Sequence, residues 1–269
     1  MTDGQWDVFL NFKEAFRNKI TEWEKRIPDL IELQKTVTKQ TKTPDYPLET
    51  SVVYNRDLDK ITKESCIKLI VIGDNPGKDE QLSKNNRYLV GQAGKIADGF
   101  FKKNGELNVD FRTNVIILNK TPVHSAKTAH LKKIMQSGGK EVIDLIEESE
   151  LWMAEKTAEL HRELCRTGDS EDSKPELWLV GYSELKNKGI FTGYKDRLKE
   201  CYSDGNFWDK VFVFQHFSMN RFSIDLNDFI KKENNSAPRE NTKNNNKSSE
   251  DLKEMIHKVG IMHKTEIFG

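Results

Sequence analysis

The chain has 269 residues, which is enough for one large domain or for one domain with appendages. Its 43 basic residues balance its 43 acidic ones, so charge excludes a strongly basic nucleic-acid binder and leaves DNA contacts to a local patch. Three widely spaced cysteines, Cys66, Cys165 and Cys201, argue against a disulfide framework, a zinc site and a four-cysteine iron–sulfur cluster.

An amphipathic segment opens the chain. Residues 5–35 carry large apolar side chains at helical spacing, which predicts a helix with one buried face. The side chains that form this stripe are Phe9, Phe12, Phe16, Ile20 and Trp23. We therefore expect residues 1–45 to form an N-terminal helical segment that packs on the core, followed by a linker around KTPDYPLET.

Four short runs rich in β-branched and aromatic residues follow. They are IKLIVIG (67–73), TNVIILN (113–119), LWLVGY (177–182) and VFVFQH (211–216). Each run is almost continuously apolar, as in strands that are buried on both faces of a parallel sheet. Charged stretches with helical periodicity separate them. This alternation predicts an α/β fold over residues 46–230, a three-layer sandwich with a central four-stranded parallel sheet flanked by helices.

The turn after the first run, in VIGDNPGKDE (71–80), resembles a phosphate-binding loop only superficially. A P-loop needs G-x-x-x-x-G-K followed by a hydroxyl that holds magnesium. Here Gly73 and Gly77 are one residue too close, and Asp79 stands where the hydroxyl belongs. A carboxylate at that position repels phosphate, so we exclude a P-loop, and G-x-G-x-x-G is not formed either.

The C-terminal part of the sequence changes character. Residues 231–250 are rich in Asn, Lys and Ser and nearly lack apolar side chains, which predicts a disordered linker. An amphipathic pattern over residues 251–269 predicts a final helix. Because neither a signal peptide nor a membrane span is visible, we expect a soluble, cytoplasmic protein.

Polar residues follow the predicted strands at the edge where ligands bind open α/β sheets. Asn75 follows the first strand, Asn119 ends the second, and His216 ends the fourth. Singly, each is more typical of a cap or turn residue. Together they predict a site at this edge of the sheet.

The segments GDNPG, RYLVGQAG, NVIILNKTP and HFSMNR occur in the order and rough spacing of motifs of the uracil-DNA glycosylase superfamily. The first resembles the G-x-N-P-G motif of its mismatch-specific and single-strand-selective branches. GDNPGKDE with YLVGQAG is also similar to the pattern of its iron–sulfur branch, and HFS resembles the H-P-S motif before the DNA-inserting loop. The resemblance covers residues 65–230 and implies a uracil-DNA glycosylase-like fold.

The chain departs from these motifs at three points. The four cluster cysteines of the iron–sulfur branch are missing, so the activity that the resemblance implies needs neither metal nor cofactor. Phe217 replaces the proline of H-P-S, and Leu89 stands where the family has an aromatic that stacks on the base. These departures keep a second hypothesis open, a non-catalytic protein of this fold that binds nucleic acid or a protein partner.

The resemblance implies removal of uracil or another deaminated base from DNA in base excision repair, after the base is flipped from the stack. It assigns Asn75 to orienting the attacking water and His216 to stabilising the leaving base. Asp74 is a second candidate base. The recognition residue is Asn119 or, on the pattern of the iron–sulfur branch, Asn114, because one amide pairs with both O4 and N3–H of uracil.

The remaining candidate residues line the base or the DNA. Gly73 and Gly77 allow the backbone to approach the base, and Tyr88 and Leu89 flank it. The expected DNA contacts are Ser125, Lys127, Ser218, Met219, Asn220 and Arg221. The expected partner is DNA that contains a deaminated base, bound by a monomer.

Overall fold

The structure, a computed structural model, describes residues 1–236 and 249–269. The α-helices of this part are α1 (Asp3–Arg26), α2 (Leu30–Gln40), α3 (Gln92–Lys103), α4 (Ala129–Thr167), α5 (Thr192–Cys201), α6 (Arg221–Ser236) and α7 (Ser249–Phe268). Its strands are β1 (Leu69–Gly73), β2 (Val115–Asn119), β3 (Glu176–Val180) and β4 (Val211–Phe214). No helix within the described ranges combines the length and apolar character that a bilayer-spanning segment needs.

The four strands form one parallel sheet in the order β2-β1-β3-β4. Every residue of β1 and β2 is buried, as expected for strands covered by helices on both faces. The predicted α/β fold with a four-stranded parallel sheet flanked by helices is therefore confirmed. In the register of β1 and β2, Gly73 pairs with Asn119, so the two strands end at the same level.

The N-terminal helices cover one side of the molecule. α1 and α2 both pack on the long helix α4, which is interrupted at Gly139. The predicted apolar stripe is buried and lies entirely on α1, but the segment 5–35 forms two helices because Pro28 lies between α1 and α2. α1 begins with a capping box in which Thr2 and Gln5 bond each other's backbone.

The opposite face of the sheet is covered by α3, α6 and α7. Trp178 of β3 lies 5.9 Å, centroid to centroid, from Phe101 of α3. Phe214 of β4 packs on Phe222 of α6 at 5.2 Å. On the same strand, Phe212 stacks on His257 of α7 at 4.6 Å. α7 thereby covers the edge strand β4.

The C-terminal boundaries differ from the predicted ones. α6 continues to Ser236, so residues 231–236 of the predicted linker (231–250) are helical. Leu226 and Ile230 are buried on the apolar face of α6, and residues 231–235 that follow them are exposed. Residues 237–248 of that prediction lie outside the described residues. α7 spans most of the predicted final helix and begins two residues earlier.

Candidate active site

A cleft of about 560 Å³ opens at the carboxyl ends of the strands. The turn after β1, the segment around Leu89, the end of β2, the loop before α4 and the turns after β3 and β4 all contribute to it. The sequence-predicted residues that line it are Asp74, Asn75, Gly77, Leu89, Asn119, Ser125, Lys127, His216 and Ser218. The fold thus brings most of the predicted site together where open α/β sheets bind ligands.

Asn119 offers an unused amide donor to this cleft. Its side chain is only 2% exposed, and Nδ2 has no hydrogen-bond partner among the described residues. Gly73 lies directly beneath it, because a Cβ at position 73 would approach Oδ1 to 2.4 Å. A buried amide without a partner costs free energy, so Asn119 is suited to pairing with a ligand that enters the cleft.

Asn75 is held in one orientation by the loop before α4. Its Nδ2 donates to Ser125 Oγ at 2.9 Å and, more weakly, to the carbonyl oxygens of Pro76 and Ser125. Ser125 Oγ in turn donates to the Lys127 carbonyl at 2.8 Å. With its amide nitrogen committed, the carbonyl Oδ1 of Asn75 is the atom that can orient a water. Ser125, which was predicted to contact DNA, is buried and positions Asn75.

The turn that carries Asn75 rests on His124. The buried His124 Nδ1 donates to the Pro76 carbonyl at 2.8 Å, and the Tyr46 hydroxyl donates to Nε2 at 2.9 Å. Burial lowers the pKa of His124 to about 4, so the ring is neutral and both of its nitrogens are used. Among the residues that the structure describes, no three His, Cys, Asp or Glu side chains are grouped as metal ligands.

His216 presents a defined tautomer. The backbone N–H of Ser218 donates to Nδ1 at 3.0 Å, so Nδ1 carries a lone pair. Burial lowers the pKa of His216, with Asp74 opposing this shift and Lys120 adding to it. The ring is therefore neutral at pH 7 and carries its proton on Nε2. This N–H makes no hydrogen bond within the described residues and is available to a ligand in the cleft.

A buried ion pair lies beneath these groups. Lys120 is fully buried, and its Nζ donates to Asp74 Oδ1 and to the Val180 carbonyl, each at 2.6 Å. Asp74 Oδ2 accepts a hydrogen bond from Thr128 at 3.2 Å. The pair ties together the carboxyl ends of β1, β2 and β3. Because both oxygens of Asp74 are engaged, this carboxylate is better placed to position its neighbours than to remove a proton.

Breaking this pair should destabilise the fold strongly. We expect Lys120→Met to lower the free energy of unfolding by about 3–5 kcal/mol, because Asp74 would remain buried without its counter-charge. The double variant Asp74→Asn, Lys120→Met should recover part of the loss, since it removes the unpaired charge. Urea denaturation of both variants measures these changes.

The matched control for this prediction is Lys140→Met, on an exposed position of α4. It should change the free energy of unfolding by less than about 0.5 kcal/mol. Equal stabilities of the two lysine variants would contradict the structural importance of the buried pair.

Three of the predicted base-contacting residues, Gly73, Tyr88 and Asn114, do not line the cleft. Tyr88 is completely buried in the core, and its hydroxyl donates to the Val53 carbonyl at 2.5 Å. Its neighbour Leu89 points the other way and lines the cleft. Asn114 precedes β2 at the opposite end of the sheet, where its Nδ2 donates to the Cys66 carbonyl at 2.9 Å. Tyr88 and Asn114 therefore make their contacts within the fold, away from the cleft.

The predicted DNA-inserting residues form an exposed rim beside His216. Met219 is 75% exposed, which is unusual for a large apolar side chain. Met219 and Asn220 both have positive φ, 54° and 56°, so the loop makes a sharp turn before α6. Arg221 and Lys127 are exposed as well. Phe217 is buried and anchors the loop.

Sequence reasoning missed two charged residues at the site. Lys120 directly follows a strand that is buried on both faces, and this position is the signal that its side chain is buried too. Glu80 is 7% exposed and lines the cleft, three residues after Gly77 in the same turn. Burial raises the pKa of Glu80 to about 7. Nothing in the local sequence distinguishes it from the exposed Asp79 beside it.

Comparisons with known proteins find no relative of this chain. No family model, no curated protein and no solved structure matches the chain. The residues of the cleft and their chemistry are therefore the basis on which a function can be inferred.

Proposed function

We propose that this protein is a DNA glycosylase of the uracil-DNA glycosylase superfamily that hydrolyses the N-glycosidic bond of uracil or another deaminated base. The observation that carries this proposal is the unpaired, buried amide of Asn119 in the cleft that also contains Asn75 and His216. A donor without a partner at the base of a ligand-sized cleft indicates a ligand with a matching acceptor.

The three groups match the polar edge of a flipped uracil. Asn119 Nδ2 donates to O4 of the base, and its Oδ1 accepts from N3–H. The Nε2–H of His216 donates to O2, where negative charge accumulates as the bond to C1′ breaks. A donor fixed in advance stabilises this transition state more than the ground state.

Hydrolysis needs a water on the opposite side of the sugar. The Asn75 carbonyl oxygen, fixed through Ser125, orients this water toward C1′. The electron pair of the broken bond leaves with the base, the water oxygen bonds to C1′, and the water proton passes to the base or to solvent. Asp74 and Lys120 act from below the cleft by holding the strand ends that carry these groups.

The rim supplies the contacts that base flipping requires. Met219 is an exposed apolar side chain suited to filling the gap that the flipped base leaves in the stack. Lys127, Asn220 and Arg221 provide exposed polar and charged groups for the backbone. We propose a monomer acting in the cytoplasm; the free thiols of the cysteines fit a reducing compartment.

Strand cleavage at abasic sites tests this function. The purified protein is incubated with single- and double-stranded oligonucleotides that contain uracil, hypoxanthine or xanthine, and then treated with alkali. We expect cleavage at the deaminated base and none in a strand with thymine at that position. If the protein binds these oligonucleotides but does not cleave them, the alternative is favoured. That alternative is a non-catalytic binding protein, in which Leu89 replaces the stacking aromatic.

A further inference from the structure

Leu89 forms part of one wall of the cleft, and polar contacts hold the backbone of this residue from two sides. Leu89 has a positive φ of 50°, which is rare for a residue with a branched side chain, and it is only 3% exposed. A Cβ at Gly94 would collide with its carbonyl oxygen at 1.4 Å, so the start of α3 presses directly against this peptide. Such a conformation persists only where the surroundings hold it.

Arg112 holds the carbonyl side of this segment. One Nη atom donates to the Tyr88 carbonyl at 3.3 Å, and the other donates to the Leu89 carbonyl. The guanidinium lies over the ring of Phe111 at 5.1 Å and faces Asp57 at 3.8 Å. Burial lowers the pKa of Arg112, but the group stays charged.

Glu80 holds the other side and joins it to the turn that carries Asn75. Its Oε2 accepts a hydrogen bond from the Gly77 N–H at 2.9 Å. The backbone N–H of Leu89 also interacts with this carboxylate and favours its ionised form, which lowers the pKa of Glu80. The charged and titratable groups around it are Asp79 on the same turn, Arg112 across the cleft wall, and the phenol of Tyr88. One carboxylate therefore links the two backbone segments between which a flipped base would lie.

We propose that Glu80 and Arg112 are positioning residues that fix the Leu89 wall against the bound base, and that Glu80 does so in its ionised form. This inference rests on the proposed function. A carboxylate accepts from both N–H groups at once, whereas a protonated carboxyl turns one oxygen into a donor that opposes an N–H. Leu89, with no aromatic ring to stack, depends on this support to make close contact with the base.

The pH dependence follows from the pKa of Glu80, which burial raises to about 7. Above this pH the carboxylate holds both segments, and below it one hydrogen bond is lost. In single-turnover excision of uracil, we expect the half-saturating concentration of oligonucleotide to rise about tenfold from pH 8 to pH 6, because one charge-assisted hydrogen bond is lost. The maximal rate should change much less.

The variant Glu80→Gln tests this role, because its amide imitates the protonated carboxyl. At pH 8 we expect the half-saturating concentration of oligonucleotide to be about tenfold higher than in the parent protein, with no further change down to pH 6. Arg112→Lys, which keeps the charge but loses the forked contact with two carbonyls, should weaken half-saturation at every pH. Glu141→Gln, an exposed carboxylate of α4, is the matched control and should behave as the parent protein does.

A measurement without DNA separates this inference from the proposed function. In amide NMR spectra of the full chain, the signals of Gly77 and Leu89 should titrate together near pH 7 and should stop doing so in Glu80→Gln. Signals that do not titrate, or a Glu80→Gln variant that keeps the parent pH profile, would overturn the positioning role even if uracil is excised. Conversely, if the two amides titrate but the protein excises no base, only the glycosylase proposal is refuted, and the link that Glu80 makes between Gly77 and Leu89 stands.

Discussion

Replacing His216 by alanine should slow excision of uracil by about 10²–10³-fold, measured as the maximal single-turnover rate. The neutral ring carries its proton on Nε2 because Ser218 donates to Nδ1, and this N–H is the donor that we propose for the leaving base. Its hydrogen bond strengthens as charge develops on O2, so its loss should affect the chemical step. Binding of the oligonucleotide should change little, because His216 contributes no charge at pH 7.

Asn75→Ala should slow the same step to a similar extent, because it removes the oxygen that orients the water. Asn227→Ala on the exposed face of α6 is the matched control and should leave the rate unchanged. If both His216→Ala and Asn75→Ala kept the parent rate in folded protein, the chemistry would have to be assigned to other residues or the catalytic proposal abandoned.

The sheet could be predicted from the sequence because its strands have a simple local signature. β1 and β2 are buried along their whole length, and their sequences are correspondingly apolar from end to end. Parallel strands end at a common edge, so the residues after them converge whatever the details of packing. This is why Asn75, Asn119 and His216 could be predicted to share one site.

Side-chain direction was less predictable. Tyr88 and Leu89 are neighbours, yet one is a core residue and the other lines the cleft, because the positive φ of Leu89 turns the chain between them. Glu80 is likewise buried, whereas its neighbour Asp79 is exposed. The conformation of Leu89 depends on Arg112, 23 residues away in the sequence, as well as on the nearby start of α3, and no local pattern reveals the distant contact.

The electrostatics of the site depend on a residue that belongs to no recognised motif. Lys120 neutralises Asp74 beneath the cleft and contributes to the lowered pKa of His216. A histidine beside an unbalanced carboxylate would gain a proton more readily. The buried pair thus keeps the floor of the cleft neutral overall, so that the strongest unsatisfied group left for a ligand is the Asn119 amide.

The second large effect is expected at Asn119. Asn119→Asp keeps the size of the side chain, which matters because Gly73 leaves no room beneath it. It replaces the donor Nδ2 by an acceptor, which would face the O4 acceptor of uracil. We expect excision of uracil to fall by about 10²-fold, since a buried mismatch of this kind costs up to about 3 kcal/mol. The single-turnover rate on uracil oligonucleotides measures this loss.

The same change should create a weak activity on cytosine. Cytosine carries an N4 amine in place of O4, and the new carboxylate accepts from that amine, as Asp and Glu do when they read cytosine in DNA. The parent amide should reject cytosine, because its donor would face the donor of the N4 amine. Matched uracil and cytosine oligonucleotides, assayed with the parent protein and with the variant, compare the two preferences directly.

Asn114→Asp is the matched control for this prediction, since it makes the same chemical change at the opposite end of β2. Its lost donor is the one that bonds the Cys66 carbonyl, so we expect a lower melting temperature and an unchanged base preference. If Asn114→Asp shifted the preference toward cytosine and Asn119→Asp did not, base recognition would belong to Asn114, and its assignment to Asn119 would be wrong. The two variants therefore separate a residue that reads the base from one that only supports the sheet.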